Sequence, residues 1–194
     1  ILLHWYFKHE MANSTITKGL LVQSLKDLVQ EIPLEKITIE NICQRHNMNR
    51  KSFYYHFKDK YDLLKYIFQT EFIQSNPLEK SEGKAHIHNL CGYLYDNRDF
   101  YHHVLRPHQH NYFRLYFYET IQNFVEEGVE VILPPEKKDD FHVLFLTDGL
   151  VCGIERWIMD YKPIPPEDFV EKLFMLLESI GLKAYQDKQR REGN

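Results

Sequence analysis

An all-α fold is predicted for this chain from three observations. Apolar residues recur at intervals of three and four along most of its length, no segment alternates in the manner of a strand, and only eight glycines interrupt it. Breaks at proline and asparagine divide the pattern into about nine helices, a short N-terminal group followed by a larger C-terminal one.

The first segment, Ile1 to Glu10, precedes Met11-Ala12-Asn13-Ser14-Thr15, which reads as an ordinary translational start. The apolar run lacks the basic leader and cleavage site of a secretory signal. It is read as upstream-derived sequence or as an arm packed on the body. Leu21, Leu25, Leu28, Val29 and Ile32 then keep helical spacing up to Pro33, which predicts a supporting helix.

Residues 38 to 60 predict two short helices around a tight turn. The Thr38 hydroxyl can cap a helix carrying Ile39, Ile42 and Cys43, while Asn41 argues against a full capping box. His46-Asn47-Met48 supplies the turn, because asparagine enters the left-handed region at low cost. Asn49 caps the next helix, whose Phe53 and Phe57 bury together with Met48 against the first and turn Arg50, Lys51, Tyr54 and Tyr55 outward. Such a pair is a helix-turn-helix, and its second helix fits the major groove of DNA. Asp59 caps a fourth helix with Leu63, Leu64, Ile67 and Phe68 inward, ending near Asn76-Pro77. Residues 75 to 84 are the expected boundary with the rest of the chain.

From about Thr15 to Phe72 the sequence resembles the DNA-binding domain of TetR/AcrR-type transcriptional regulators. The matching features are a first amphipathic helix, Ile37-Thr38-Ile39 with Ile42, and the run from Phe53 to Leu64. Asn47 stands where that family usually has glycine, and Lys51 where it often has a small residue or proline. Tyr61-Asp62-Leu63-Leu64 and the start at Met11 are similar, more faintly, to the branch that regulates dihydroxyacetone kinase operons. The resemblance implies that Tyr54 and His56 hold the DNA backbone and that Lys60 contacts a phosphate. Thr38 and Asn49 offer capped helix starts to phosphates. Arg50, Lys51, Ser52 and Tyr55 are the candidates for base edges, Arg50 or Lys51 donating to guanine.

Beyond residue 84, breaks are expected near Asn97-Arg98-Asp99, Arg106-Pro107, Gly128, Pro134-Pro135 and Pro163 to Pro166. Apolar residues surround most of the helix from Phe141 to Ile158, and a broad stripe runs from Phe169 to Ile180. A helix apolar on several sides needs cover on several sides. These stretches resemble the last two helices of the family, which pair with their copies as a four-helix bundle. Phe145, Gly149, Gly153, Trp157, Phe169, Leu173 and Leu177 are the dimerisation candidates, the glycines permitting close approach. Two linked reading heads suit half-sites about 34–36 Å apart, or a multiple of that, on a palindromic double-stranded operator.

The expected assignment is therefore 1–10 as the arm, 11–76 as a three-helix helix-turn-helix DNA-binding domain, and 77–194 as a helical ligand and dimerisation domain. Tyr93, Phe100, Tyr101, Phe113 and Phe117, with Tyr95, Tyr112, Tyr116 and Tyr118 nearby, could wall a pocket for an apolar or amphipathic effector. The same spacing also suits plain core. The resemblance implies a cytoplasmic homodimer and repression as the default, relieved by a small molecule or partner protein. An activator controlled by a protein coactivator is the alternative.

Composition bounds these readings. The formal net charge is -4 over 194 residues, so the chain is not globally basic. Between Arg45 and Lys60, however, Arg45, Arg50, Lys51, Lys58 and Lys60 face the single acid Asp59, a local excess that steers phosphates. No apolar run is long enough for a membrane span. Cys43, Cys91 and Cys152 are odd in number and far apart, which fits a reducing compartment and three small buried side chains. His86, His88, His102, His103, His108 and His110 carry no metal motif, since two histidines two apart on a helix diverge. No metal and no cofactor are expected. A small helical enzyme using Cys91 or Cys152 with a histidine of the 102–110 cluster is the rival class, and no nucleophile motif supports it.

Overall fold

A computed structural model describes residues 2–76, 83–106, 112–132 and 139–192, with side chains within 14–76, 83–106, 112–129 and 139–179. The expected breaks at Pro77, Pro107 and Pro134-Pro135, and His108 and His110, lie outside the described residues. Among those described, nine α-helices and two short 3-10 turns are present. The helices are α1 (Leu2–Glu31), α2 (Ile39–Gln44), α3 (Arg50–His56), α4 (Lys60–Glu71), α5 (Gly83–Asp96), α6 (Arg98–Val104), α7 (Tyr112–Ile132), α8 (Asp140–Met159) and α9 (Pro166–Glu192).

Helix α1 starts at Leu2 and runs without interruption through Met11. It stops where Pro33 cannot continue it, and a 3-10 turn at Leu34–Lys36 leads to α2. Leu21, Leu25, Leu28 and Val29 of α1 pack with Ile42, Phe53, Phe57, Leu63 and Leu64 as the core of the N-terminal head. Gly128 does not end α7, contrary to expectation, because the helix continues to Ile132. A mid-helix glycine costs only about 1 kcal/mol, and Ile121, Val125 and Val129 bury on the same stripe.

Head and body share one core at Phe68, on α4. Its ring lies 5.9 Å from Phe113, 5.9 Å from Phe117 and 6.3 Å from Tyr101. Such edge-to-face contacts lock aromatic clusters beyond their simple burial. Helix α7 packs on α8, and α5 on α9. The buried Glu155 of α8 is held by Arg114 of α7 through two bonds of 2.6 and 2.9 Å. No described helix is long and apolar enough to cross a membrane.

Candidate nucleic-acid interface

The helix-turn-helix is built by caps. Thr38 is extended and its hydroxyl accepts from the Asn41 backbone N–H at 3.1 Å. The Asn41 side-chain oxygen in turn accepts from the Thr38 N–H at 2.9 Å. This completes a capping box, correcting the expectation that Asn41 would break one: an amide oxygen reaches back as a glutamate oxygen does. Asn47 has φ of 51°, the one non-glycine residue with positive φ among those described. Met48 N–H bonds to Cys43 O at 2.9 Å and Asn47 N–H to Gln44 O at 3.2 Å, which closes the end of α2 as a Schellman motif. Asn49 then caps α3, its side chain accepting from Ser52 N–H at 2.9 Å.

Phe53 and Phe57 are buried, so α3 can present only its opposite side. That side carries Arg50 and Lys51, both exposed, with Tyr54 51% and Tyr55 72% exposed. Large aromatic side chains left this open point to a partner surface. The Arg50 guanidinium donates to the Tyr54 hydroxyl at 3.3 Å and lies 5.9 Å from its ring centre. Tyr55 meets His56 edge-on at 4.8 Å. Burial, helped by Lys18, pulls the His56 imidazole below its ordinary value, so at neutral pH it offers one N–H donor and no charge. Ser52 is half-buried and its hydroxyl donates to Asn49 Oδ1 at 3.2 Å.

The cationic patch is smaller than the sequence count. Arg45 is paired with Glu31. Lys60 turns inward, its ammonium donating to the carbonyl oxygens of Leu34, Glu35 and Ile37. Burial lowers its pKa from the usual lysine value. Arg50, Lys51 and Lys58 remain exposed. Sequence reasoning had no local signal for the inward turn of Lys60, because its partners lie 23 to 26 residues away.

In the body, the aromatic candidates close on one another. Phe100, Tyr101, Phe113 and Phe117 are buried, and Tyr93 stacks on Phe72 at 5.4 Å while its hydroxyl meets that of Tyr101 at 2.8 Å. A ligand between them would have to displace a ring. The dimerisation candidates divide. Phe145 is 65% exposed beside Phe141, and Leu144, Met175, Leu176 and Leu177 are also exposed, whereas Leu173 is half-buried. Apart from the adjoining residues and backbone of α8 itself, no described atom lies within 4 Å of where a side chain would start at Gly149 or Gly153. Trp157, however, is only 6% exposed: it stacks on Phe169 at 4.7 Å, and its ring N–H donates to Ile164 O at 2.8 Å. Phe169 itself is half-buried.

Cys43 and Cys91 are buried as expected, but Cys152 is exposed, because α8 turns that side out. Burial pushes the Cys91 thiol up to about 12, which makes it a poor nucleophile. Among the described residues no group of three or more His, Cys, Asp or Glu is placed to hold a metal ion.

Comparison with known proteins agrees with this geometry. Residues 23–67 match the family described as bacterial regulatory proteins, tetR family, and residues 83–179 match a transcriptional regulator C-terminal region. The chain is 26% identical over 144 residues to the HTH-type dhaKLM operon transcriptional activator DhaS of Lactococcus lactis subsp. lactis (strain IL1403), spanning 73% of this chain and 74% of that one. A solved TetR transcriptional regulator from Streptococcus agalactiae 2603V is similar with a TM-score of 0.68 at 20% identity, over 87% of this chain and 97% of that one. A solved dihydroxyacetone kinase operon activator DhaS gives 0.55 at 21% identity, over 88% and 96%. At these identities the two structures speak for the fold.

Proposed function

The chain belongs to the TetR family of DNA-binding transcriptional regulators, and from that premise we propose that it is a homodimer that reads a palindromic operator in bacterial cytoplasm. The observation that carries the reading is α3: a short helix, capped by Asn49 and backed by Phe53 and Phe57, that leaves Arg50, Lys51, Tyr54 and Tyr55 open on one side. Arginine or lysine suits the guanine edge, and tyrosine suits sugar, phosphate or the thymine methyl group. Thr38, Asn49, Ser52 and His56 flank that side. The exposed apolar side of α8 and α9, with Phe145, Gly149 and Leu177, is the surface on which a second copy would sit.

On the sign of regulation, the relative named as an activator of a dhaKLM operon favours activation over the repression that the resemblance alone implies. The packed ring cluster around Phe68 gives the small-molecule reading no added support.

Selection of bound sequences from random duplex DNA tests the proposal. Enrichment of an inverted repeat supports both the groove-reading helix and the pair. A single unrepeated half-site removes the homodimer, and no enrichment at low salt removes the operator reading.

A further inference from the structure

Glu71 is the last residue of α4, and its carboxylate takes bonds from both sides of the junction between head and body. From the head, the Lys26 ammonium of α1 donates to its two oxygens at 2.6 and 2.8 Å. From the body, the Tyr93 hydroxyl of α5 donates to Oε2 at 3.1 Å. A phenol has a single proton, so Tyr93 can only accept from the Tyr101 hydroxyl of α6, 2.8 Å away, and every donor in the chain points toward Glu71. Lys26 reaches the body a second time, its ammonium lying 5.7 Å from the ring centre of Phe100 on α6. Two helices of the head are thus tied to two of the body through one carboxylate. Around it the junction is made of rings, with Phe68 against Phe113 and Phe117, and Phe72 stacked on Tyr93. Burial of apolar area supplies adhesion without direction, whereas hydrogen bonds weaken steeply off their axis.

We infer that Glu71 is a positioning residue that sets the half-site spacing this protein accepts. Its carboxylate fixes the attitude of the head on the body, and in a pair joined through α8 and α9 that attitude decides how far apart the two α3 helices stand. Glu71 lies about 16 Å along α4 from Lys60, the end that follows α3, so it acts on spacing and leaves base preference alone. A spacing that matches two fixed heads raises the effective concentration of the second contact, and a loosened head forfeits that gain. The inference deepens the proposal of a dimer on a palindromic operator and rests on it.

Glu71→Gln keeps the shape of the side chain and removes the charge that gathers Lys26 and Tyr93. Wild type and variant are titrated, far below their unfolding midpoints, with three duplexes: the inverted repeat enriched by selection, that repeat with a base pair added between its halves, and a single half-site. Wild type should penalise the added base pair by about tenfold or more. The variant should lose roughly tenfold on the selected repeat, bind the single half-site as wild type does, and penalise the added base pair by less than about threefold. Equal losses on repeat and half-site would place the effect within the head and overturn the inference. So would a spacing penalty kept at the wild-type value, whatever the unfolding midpoint, since the carboxylate would then be structural only. A variant that sediments as a monomer would act through association, and a wild type indifferent to spacing would have nothing to set; either result overturns it. Should Glu71→Gln not fold, Lys26→Met meets the same criteria, since it cuts the head's side of the junction and leaves Tyr93 its acceptor; failure of both to fold would make the pair a folding element and overturn the inference. Wild-type protein that binds no duplex, or selects no repeat, overturns the operator or dimer reading and this inference with it. A strict wild type with an equally strict variant overturns this inference alone.

Discussion

The hydroxyls of Tyr93 and Tyr101 lie 2.8 Å apart at the end of a polar chain that crosses from head to body. Tyr93 donates onward to Glu71 Oε2 at 3.1 Å, and Lys26 holds both oxygens of that carboxylate at 2.6 and 2.8 Å. Four helices, α1, α4, α5 and α6, each supply one member. Burial pushes both phenols above their usual value, so both stay protonated and able to donate.

The order of the chain sets the cost of cutting it. Tyr93→Phe removes the middle link and leaves the buried Tyr101 hydroxyl without its acceptor, an expected loss of about 1–3 kcal/mol. Tyr101→Phe removes only the last donor and should cost about 0.5–1.5 kcal/mol. Urea unfolding of both variants checks the ranking, and equal losses would show that the hydroxyls act independently.

Arg50 and Tyr54 should behave as a coupled pair on DNA. Arg50→Ala is expected to relax preference at one base pair, at a cost of about 1–3 kcal/mol on the selected duplex. Tyr54→Phe keeps the ring and removes the hydroxyl that Arg50 bonds. A double-mutant cycle on cognate duplexes should give a non-additive result. Additive losses, uniform across sequences, would instead place Tyr54 on the DNA backbone.

Association and folding should separate on α8. Phe145→Asp, on an open side, is expected to give a folded monomer by sedimentation and circular dichroism, with operator affinity reduced by roughly 10²-fold or more through lost avidity. Trp157→Ala, in the stack with Phe169, is expected to cost about 3–5 kcal/mol of stability instead. A dimeric Phe145→Asp protein would move the proposed interface elsewhere.

Acid should weaken the fold through its histidines. Burial lowers the pKa of His56, His86, His102 and His103 in the folded state. The unfolded chain, with histidine near about 6.5, therefore takes up protons first as pH falls. Their contribution is fully present above that value and is lost below it. Urea midpoints are expected to decline as pH falls through and below about 6.5. His86→Phe, retaining the ring stack on Phe124, should flatten that decline.

What was legible in the sequence was local. Caps at Thr38, Asn49 and Asp59, the left-handed Asn47 and the stripe through Phe53 and Phe57 each depend on neighbours within a turn or two, so the reading head could be drawn residue by residue. What was hidden depends on distant partners. The inward turn of Lys60, the neutralisation of Arg45 by Glu31 and the enclosure of Trp157 come from chain segments brought together by packing. Aromatic spacing in the body could not separate a ligand wall from a core, because both use the same periodicity, and only the ring contacts around Phe68 tell which side chains already touch.

Asn47 sets a limit on how this chain can drift. At φ of 51° a β-branched or bulky substituent strains the backbone, while glycine fits but adds freedom to the unfolded chain. The corner between α2 and α3 thus tolerates a vocabulary of roughly three residues, asparagine, aspartate and glycine. Diversification of what the head recognises must proceed along the outward side of α3, with the bend itself held nearly constant.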